Sequence, residues 1–194
     1  MLHNLLHGIE IVLASASPRR LDILKMLGLN PLILVADIDE PIDETVPRKL
    51  VMKHSLHKAC HIAETTNSNA LIIGADTLVC INKTILGKPK SNNEAKHYLT
   101  LLSNHTHKVY TGITIIHNSN TYTDYEMSSV VFNKLTDKEI NEYVESREPF
   151  DKAGAYGIQG YGSQFVRKIN GCYFNVMGFP VNLFYRMLQH IMER

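Results

Sequence analysis

Few cysteines, a balanced charge and the lack of long apolar runs exclude several classes of protein. The three cysteines, Cys60, Cys80 and Cys172, are far apart and form no Cys-x-x-Cys motif, which argues against a disulfide framework or a zinc site and indicates a reducing compartment. The net charge of +1 at pH 7 provides no basic field for nucleic acid. No apolar run is long enough to cross a membrane, and residues 1–9 lack the pattern of a signal peptide. We therefore expect a soluble cytoplasmic protein without nucleic-acid or membrane partners.

What the chain does have is a hydrophobic fraction of 44% over 194 residues, enough for a proper core. This length predicts a single domain over residues 1–194, or two lobes that share one sheet. Apolar, β-rich runs alternate with amphipathic helical patterns, and a hairpin turn is expected at residues 118–120. The sequence therefore predicts an α/β fold.

The segment Ser15–Arg20 follows an apolar run and begins a helical pattern. Ser17 is a good N-cap, and Pro18 suits the first helical position. Arg19 and Arg20 are unexpected there, because the first turn of a helix carries partial positive charge. Two interpretations remain open. Either backbone N–H groups, serine hydroxyls and both guanidinium groups form a phosphate site, or the helix is simply capped and its arginines are solvated.

Carboxylates mark two further places in the chain. Asp76 interrupts the apolar run from Leu71 to Cys80, which is typical of a central strand. A charge inside a buried strand is costly unless it is paired or bound to a metal, so Asp76 is a candidate functional residue. The acidic run Asp37–Glu40 follows an expected short strand, Leu32–Ala36, and is either a divalent-cation site or a solvated loop.

The pattern over Lys49–Ala63 predicts a helix with histidines and a lysine on its polar side. Its expected apolar face comprises Leu56, Ala59, Cys60 and Ala63. His54, His57 and His61 fall together on the other side, with Lys58 near them. Histidines at this spacing can bind a metal, but this face has no acidic or thiol companion at helical spacing, so we expect them to be solvated.

Two turns carry polar side chains that could point into a cleft. Lys88 lies between a glycine and a proline, on a stiff turn that could aim its ammonium group. Gln159 lies in the glycine-rich segment Asp151–Gly160, and its amide offers both a donor and an acceptor, as reading a base edge requires. The alternative for the second segment is a purely structural glycine-rich loop.

Together, these motifs resemble the signature set of the Maf family, which comprises nucleoside triphosphate pyrophosphatases. The matching segments are Ser15–Arg20, Gly74–Thr77, Gly87–Pro89, Thr111–Gly112 and Asp151–Gly160. They occur in the family's order and span nearly the whole chain, from Ile11 to the last expected helix. The resemblance implies a long twisted mixed sheet flanked by helices, with two lobes around a deep central cleft, as in Maf and ITPase-like proteins.

The resemblance also implies a reaction and a set of residues that perform it. A nucleoside triphosphate would be hydrolysed between its α and β phosphates, with Asp76 as the general base. Glu40 and Asp76 would hold a divalent cation, Mg²⁺ or Mn²⁺. The triphosphate would be gripped by the polar and basic positions of the family motifs, which are Ser15, Arg19, Arg20, Lys58 and Lys88.

Three positions carry the substrate preference of the family subgroups. Arg19, Thr77 and Gln159 all match the subgroup that acts on dTTP and UTP. The alternatives are a 7-methyl-GTP pyrophosphatase, and a nucleotide-binding regulator of cell division or septum formation. Family members are often homodimers, so a homodimer is a further expectation. Departures from the family pattern at Cys172, Phe174 and Phe179 bear on substrate range more than on the reaction.

Overall fold

The computed structural model describes residues 2–67, 69–118 and 120–192, so residue 119 of the expected hairpin turn lies outside the described residues. The strands are β1 (Ile11–Ala14), β2 (Leu32–Ile33), β3 (Leu71–Ile81), β4 (Thr84–Leu86), β5 (Thr106–His117), β6 (Asn120–Phe132) and β7 (Val166–Asn170). The helices are α1 (Leu2–Leu5), α2 (Pro18–Met26), α3 (Pro47–Ala63), α4 (Asn92–Leu102), α5 (Asp137–Glu145), α6 (Tyr173–Val176) and α7 (Val181–Met192). Within these residues, no helix is both long enough and apolar enough to span a membrane.

The strands form one mixed sheet in the order β2-β1-β3-β5-β6-β7, and β4 pairs with β3. β1 runs parallel to both β2 and β3, whereas β4 and β7 pair antiparallel with β3 and β6. β1 and β3 are buried almost throughout, which explains why they are nearly continuous apolar runs in the sequence. The prediction of a mixed α/β sheet flanked by helices is confirmed.

The chain divides into two compact units. The first comprises Met1–Asp76, Thr111–Glu126 and Gly178–Arg194, and the second comprises Thr77–Tyr110 and Met127–Met177. In the first unit, α3 packs on β1 and β3 through a cluster that includes Val12, Ala59 and Ile72. The core of the second unit includes large side chains from α4, α5 and β6, among them Leu99, Tyr143 and Phe132. A deep cleft within one domain over residues 1–194 stays a prediction.

The expected strand Leu32–Ala36 is shorter than predicted. The strand consists of Leu32 and Ile33, whose exposed fractions are 51% and 41%, and the backbone N–H of Leu34 still donates to the Leu13 carbonyl oxygen of β1. The strand lies at the end of the strand order, so its apolar composition does not reflect burial on both faces. Beyond Leu34 the chain, including Glu40, continues as an irregular segment up to α3.

Two glycines let α3 lie directly on the sheet. A Cβ atom on Gly74 of β3 would collide with the carbonyl oxygen of Ser55 and would come within 2.9 Å of the Ala59 Cβ. A Cβ atom on Gly112 of β5 would collide with the backbone of Val51. Because a side chain at either position would push the helix away, both glycines are required for this close approach. The buried side of α3 is therefore held against the strand that carries Asp76.

Candidate functional site

The centre of the candidate site is the carboxylate of Asp76, which is only 8% exposed in the middle of β3. Its Oδ1 atom accepts a hydrogen bond of 2.8 Å from Nζ of Lys58 on α3. The same ammonium group lies 3.0 Å from Oε1 of Glu40. Lys58 therefore bridges the two carboxylates to which the family resemblance assigns the metal.

His54 also belongs to this cluster, contrary to the expectation that it is solvated. It is 5% exposed, and its Nδ1 atom lies 3.3 Å from Oδ2 of Asp76. Its Nε2 atom lies 3.1 Å from the carbonyl oxygen of Pro41. One helical turn separates His54 from Lys58, so both side chains reach the same carboxylate. His57 and His61, in contrast, are exposed as expected.

The electrostatics of the cluster keep Asp76 ionised. Burial by itself would raise the pKa of Asp76, but the hydrogen bond with His54 and the charges of Lys58 and Arg20 hold it well below its usual value. The hydrogen bond with Asp76 raises the pKa of His54, while desolvation opposes the change. A buried carboxylate that is ionised and surrounded by cations can bind a metal ion or accept a proton.

The N-terminal turn of α2 contributes Ser15 and Arg20. Arg20 is 7% exposed, so the interpretation that its side chain is solvated is wrong. Its Nη1 atom donates to Oγ of Ser15 at 2.8 Å and to the carbonyl oxygen of Ala75 at 2.9 Å, and its Nε atom donates to the carbonyl oxygen of Gly178. These bonds fix the guanidinium group beside the strand residue that precedes Asp76. Arg19 is half-buried in the same turn.

The remaining predicted site residues lie in the second unit. Thr77 directly follows Asp76 in β3 and is half-buried. Lys88 is exposed after β4, and Gln159 is exposed in the glycine-rich segment before a 3₁₀ turn at Tyr161–Phe165. Their roles stay predictions.

One group of three potential metal ligands lies in the part of the chain that the structure describes. Glu40, His54 and Asp76 each offer one ligand atom, and these atoms lie within 4.8 Å of one another. Two carboxylates and an imidazole are a donor set that fits a divalent cation, so the residues present are compatible with the metal that the family resemblance implies. Sequence spacing does not reveal this group, because it joins a loop, a helix and a strand.

Comparisons with known proteins agree with the motifs. A family model described as "Maf-like protein" matches residues 10–191. Proteins named dTTP/UTP pyrophosphatase from Bacillus cereus (strain AH820) and Bacillus anthracis are each 47% identical over 181 residues, which cover 93% of this chain and 94% of the relative.

A solved structure of a HAM1 protein from Coxiella burnetii has the same fold. Its TM-score is 0.55 at 16% sequence identity, and the match covers 96% of this chain and 100% of that chain. Because the family model and the Bacillus relatives both span nearly the whole sequence, the chain belongs to the Maf family.

Proposed function

We propose that this protein hydrolyses dTTP and UTP to the nucleoside monophosphate and pyrophosphate. The single observation that carries the proposal is the buried carboxylate of Asp76, 2.8 Å from Nζ of Lys58, at a position that matches the family's catalytic motif. The two Bacillus relatives are named for this activity, and they match the chain over nearly its full length. By resemblance, the protein would remove surplus or non-standard pyrimidine nucleotides before they reach nucleic acid.

In this proposal, Asp76 accepts the proton of the water that attacks the α phosphate. The carboxylate is ionised at neutral pH, so it can accept this proton. Because its lowered pKa makes it a weak base, the attacking water would also have to be made more acidic, which is the chemistry that a bound cation would supply. Breaking the bond between the α and β phosphates then releases pyrophosphate as the leaving group. Positioning and charge neutralisation supply most of the acceleration in such reactions.

Glu40 and Asp76 would hold a divalent cation, Mg²⁺ or Mn²⁺. Such a cation, when bound, lowers the pKa of a bound water and neutralises phosphate charge. Lys58 already lies between the two carboxylates and offers a second positive charge at the same place. It would help to neutralise the triphosphate while keeping the carboxylates in position.

The first turn of α2 would bind part of the triphosphate. Free backbone N–H groups at a helix N-terminus favour anions, and Ser15, Arg19 and Arg20 add a hydroxyl and two cations there. We include Lys88 among the phosphate ligands on the strength of the family motif. Arg19, Thr77 and Gln159 would select the base, because all three match the dTTP and UTP subgroup.

A panel of nucleoside triphosphates tests the proposal. Each of dTTP, UTP, CTP and 7-methyl-GTP is incubated with Mg²⁺ or Mn²⁺, and pyrophosphate and orthophosphate are measured separately. We expect pyrophosphate from dTTP and UTP and little from 7-methyl-GTP. The variant Asp76→Asn should lose at least about 100-fold in kcat, whereas Asp137→Asn, an exposed control on α5, should keep full activity.

Two outcomes contradict the proposal. Full activity in Asp76→Asn would remove that residue from the mechanism. Release of orthophosphate alone would place the cleaved bond elsewhere in the triphosphate.

A further inference from the structure

We propose that His54 is a third protein ligand of the cation held by Glu40 and Asp76, and that it favours Mn²⁺ over Mg²⁺. The proposal rests on the metal site of the proposed function and adds a residue to it. It also answers which of the two cations this chain prefers.

The hydrogen bond to Pro41 fixes which ring nitrogen carries a proton. A carbonyl oxygen can only accept, so Nε2 of His54, at 3.1 Å from the Pro41 oxygen, must be the donor. In the neutral imidazole, the lone pair is then on Nδ1, and it faces Oδ2 of Asp76 at 3.3 Å. Without a metal, a proton on Nδ1 makes the hydrogen bond to Asp76 described above, and a cation can take the place of that proton between the two atoms. The neutral form of His54 and the carboxylate therefore make a pair of donor atoms suited to one cation.

This arrangement matches the way proteins hold metal-binding histidines. A metal-binding histidine usually donates its other ring N–H to a carboxylate or a backbone carbonyl, which fixes the tautomer and the ring orientation. Pro41 provides such a carbonyl, one residue after the metal ligand Glu40. His54 is 5% exposed on a helix whose distance from β3 is fixed by Gly74, so its ring is held in place without the metal.

Lys58 does not compete with His54 for the same oxygen. Its ammonium group binds Oδ1 of Asp76, whereas the imidazole faces Oδ2. One carboxylate can thus keep its ion pair on one side and share a cation with His54 on the other. This division explains how a lysine and a metal site can occupy one cluster.

An imidazole ligand changes the choice of metal. Mg²⁺ is a hard cation that keeps oxygen ligands and several waters. First-row transition cations accept imidazole nitrogen more readily than Mg²⁺ does, and of the two cations compared, Mn²⁺ is the one that combines imidazole with carboxylate ligands. A site with two carboxylates and one imidazole should therefore bind Mn²⁺ more tightly than Mg²⁺.

Electron paramagnetic resonance of bound Mn²⁺ tests the assignment directly. The full chain is loaded with Mn²⁺, with and without a dTTP analogue that cannot be cleaved between its α and β phosphates. Electron spin echo modulation then reports whether a ¹⁴N nucleus of an imidazole is coordinated. We expect the modulation in the wild-type protein and in His57→Leu, an exposed control on the same helix.

Two variants of His54 complete the experiment. His54→Leu should lose the ¹⁴N modulation and weaken Mn²⁺ binding by about tenfold or more, with a smaller effect on Mg²⁺. His54→Asn is the control for a folding defect in His54→Leu, because its amide keeps a polar group and an oxygen donor at this position. It should lose the imidazole modulation and bring the Mn²⁺ and Mg²⁺ dissociation constants closer together.

The proposal is overturned if wild-type Mn²⁺ shows no ¹⁴N modulation, if no Mn²⁺ binds even with the analogue, or if both His54 variants bind Mn²⁺ normally. An equal loss of Mn²⁺ and Mg²⁺ affinity without a wild-type ¹⁴N signal would reduce His54 to orienting Asp76. These results are separate from the nucleotide assay. Pyrophosphate release without a ¹⁴N signal leaves the proposed function standing, and a ¹⁴N signal without pyrophosphate release removes only the function.

Discussion

At the scale of single residues, Lys58 is the side chain on which the charge balance of the site depends. It is 8% exposed and bridges Asp76 and Glu40. Replacing Lys58 by Met leaves the buried Asp76 carboxylate without its closest cation. Breaking a buried ion pair from one side typically costs about 3–5 kcal/mol. We expect a loss in the free energy of unfolding near that size at pH 7, measured by urea denaturation.

The same helix offers a matched control. Lys53 forms an exposed ion pair with Asp43, and exposed pairs contribute little to stability, so Lys53→Met should change the unfolding curve far less. The double variant Lys58→Met/Asp76→Asn should recover much of the lost stability, because it removes the uncompensated charge. It should remain inactive. Equal effects of Lys58→Met and Lys53→Met would show that Asp76 does not need its cation.

Residue patterns predicted only part of this site. Asp76 was identifiable because a lone carboxylate in a buried strand needs a partner. Arg20 was identifiable because a cation at the N-terminus of a helix is unfavourable unless an anion or another partner lies near it. His54 was missed. Its partners, Asp76 and Pro41, come from other elements, and no spacing within α3 points to them.

At the scale of elements, α3 shows why the sequence pattern gave a wrong prediction of which side of the helix is buried. The amphipathic pattern predicted that Cys60 lies on the apolar face, but Cys60 is exposed. The buried side of α3 includes the polar residues His54, Ser55 and Lys58. A hydrophobic stripe indicates the buried face of a helix only when that face meets an apolar surface. Here part of the face meets Asp76 and the hydroxyl of Thr114, so polar residues are buried.

The turn at residues 160–162, where the glycine-rich segment ends, is a second element whose shape depends on one carboxylate. Oε1 of Glu148 accepts hydrogen bonds from the Tyr143 hydroxyl at 3.0 Å and from the backbone N–H of Gly162 at 3.2 Å. Oε2 accepts from the N–H of Tyr161 at 2.9 Å. Gly160 has a φ of 79°, and a Cβ there would come within 2.7 Å of Oε2. The glycines thus let the chain wrap closely around this side chain.

Glu148 should therefore position Gln159, which lies one residue before this wrapped segment. In Glu148→Ala we expect KM for UTP to rise by about tenfold, since small displacements of a binding residue are costly. The preference for UTP over CTP should fall, while kcat changes much less. Steady-state kinetics with both nucleotides measure this. Glu145→Ala, an exposed control at the end of α5, should behave as wild type. An unchanged UTP preference in Glu148→Ala would remove the carboxylate from substrate selection.

At the scale of the whole molecule, the fold was predictable because alternation of strands and helices is distributed over the entire chain. The HAM1 protein from Coxiella burnetii shares the fold at 16% identity, so many different side chains are compatible with it. The short β2 was not predictable in the same way. Its apolar sequence resembles β1, and only its place at the end of the strand order separates the two.

Stability against acid is also a property of the whole molecule, and one buried histidine dominates the expected change. His107 is 1% exposed, with Nε2 at 2.7 Å from the hydroxyl oxygen of Tyr156. Burial lowers the pKa of His107 from 6.5 to about 4. Between these values the unfolded chain binds a proton that the folded protein does not, so stability falls as the pH falls through this window.

The full effect of His107 corresponds to about 3 kcal/mol between pH 7 and pH 4. Below about pH 4 a second loss should begin, because the pKa of Asp76 is lowered and its contribution disappears as the unfolded carboxylate is protonated. The raised pKa of His54 acts in the opposite direction, but it is common to every variant compared.

Urea denaturation at pH 7, 5.5 and 4 measures the free energy of unfolding, which should fall less on acidification in His107→Gln than in wild type. His105→Gln, an exposed control two residues away, should lose as much stability as wild type does. Parallel losses in all three proteins would show that His107 is not the group that titrates.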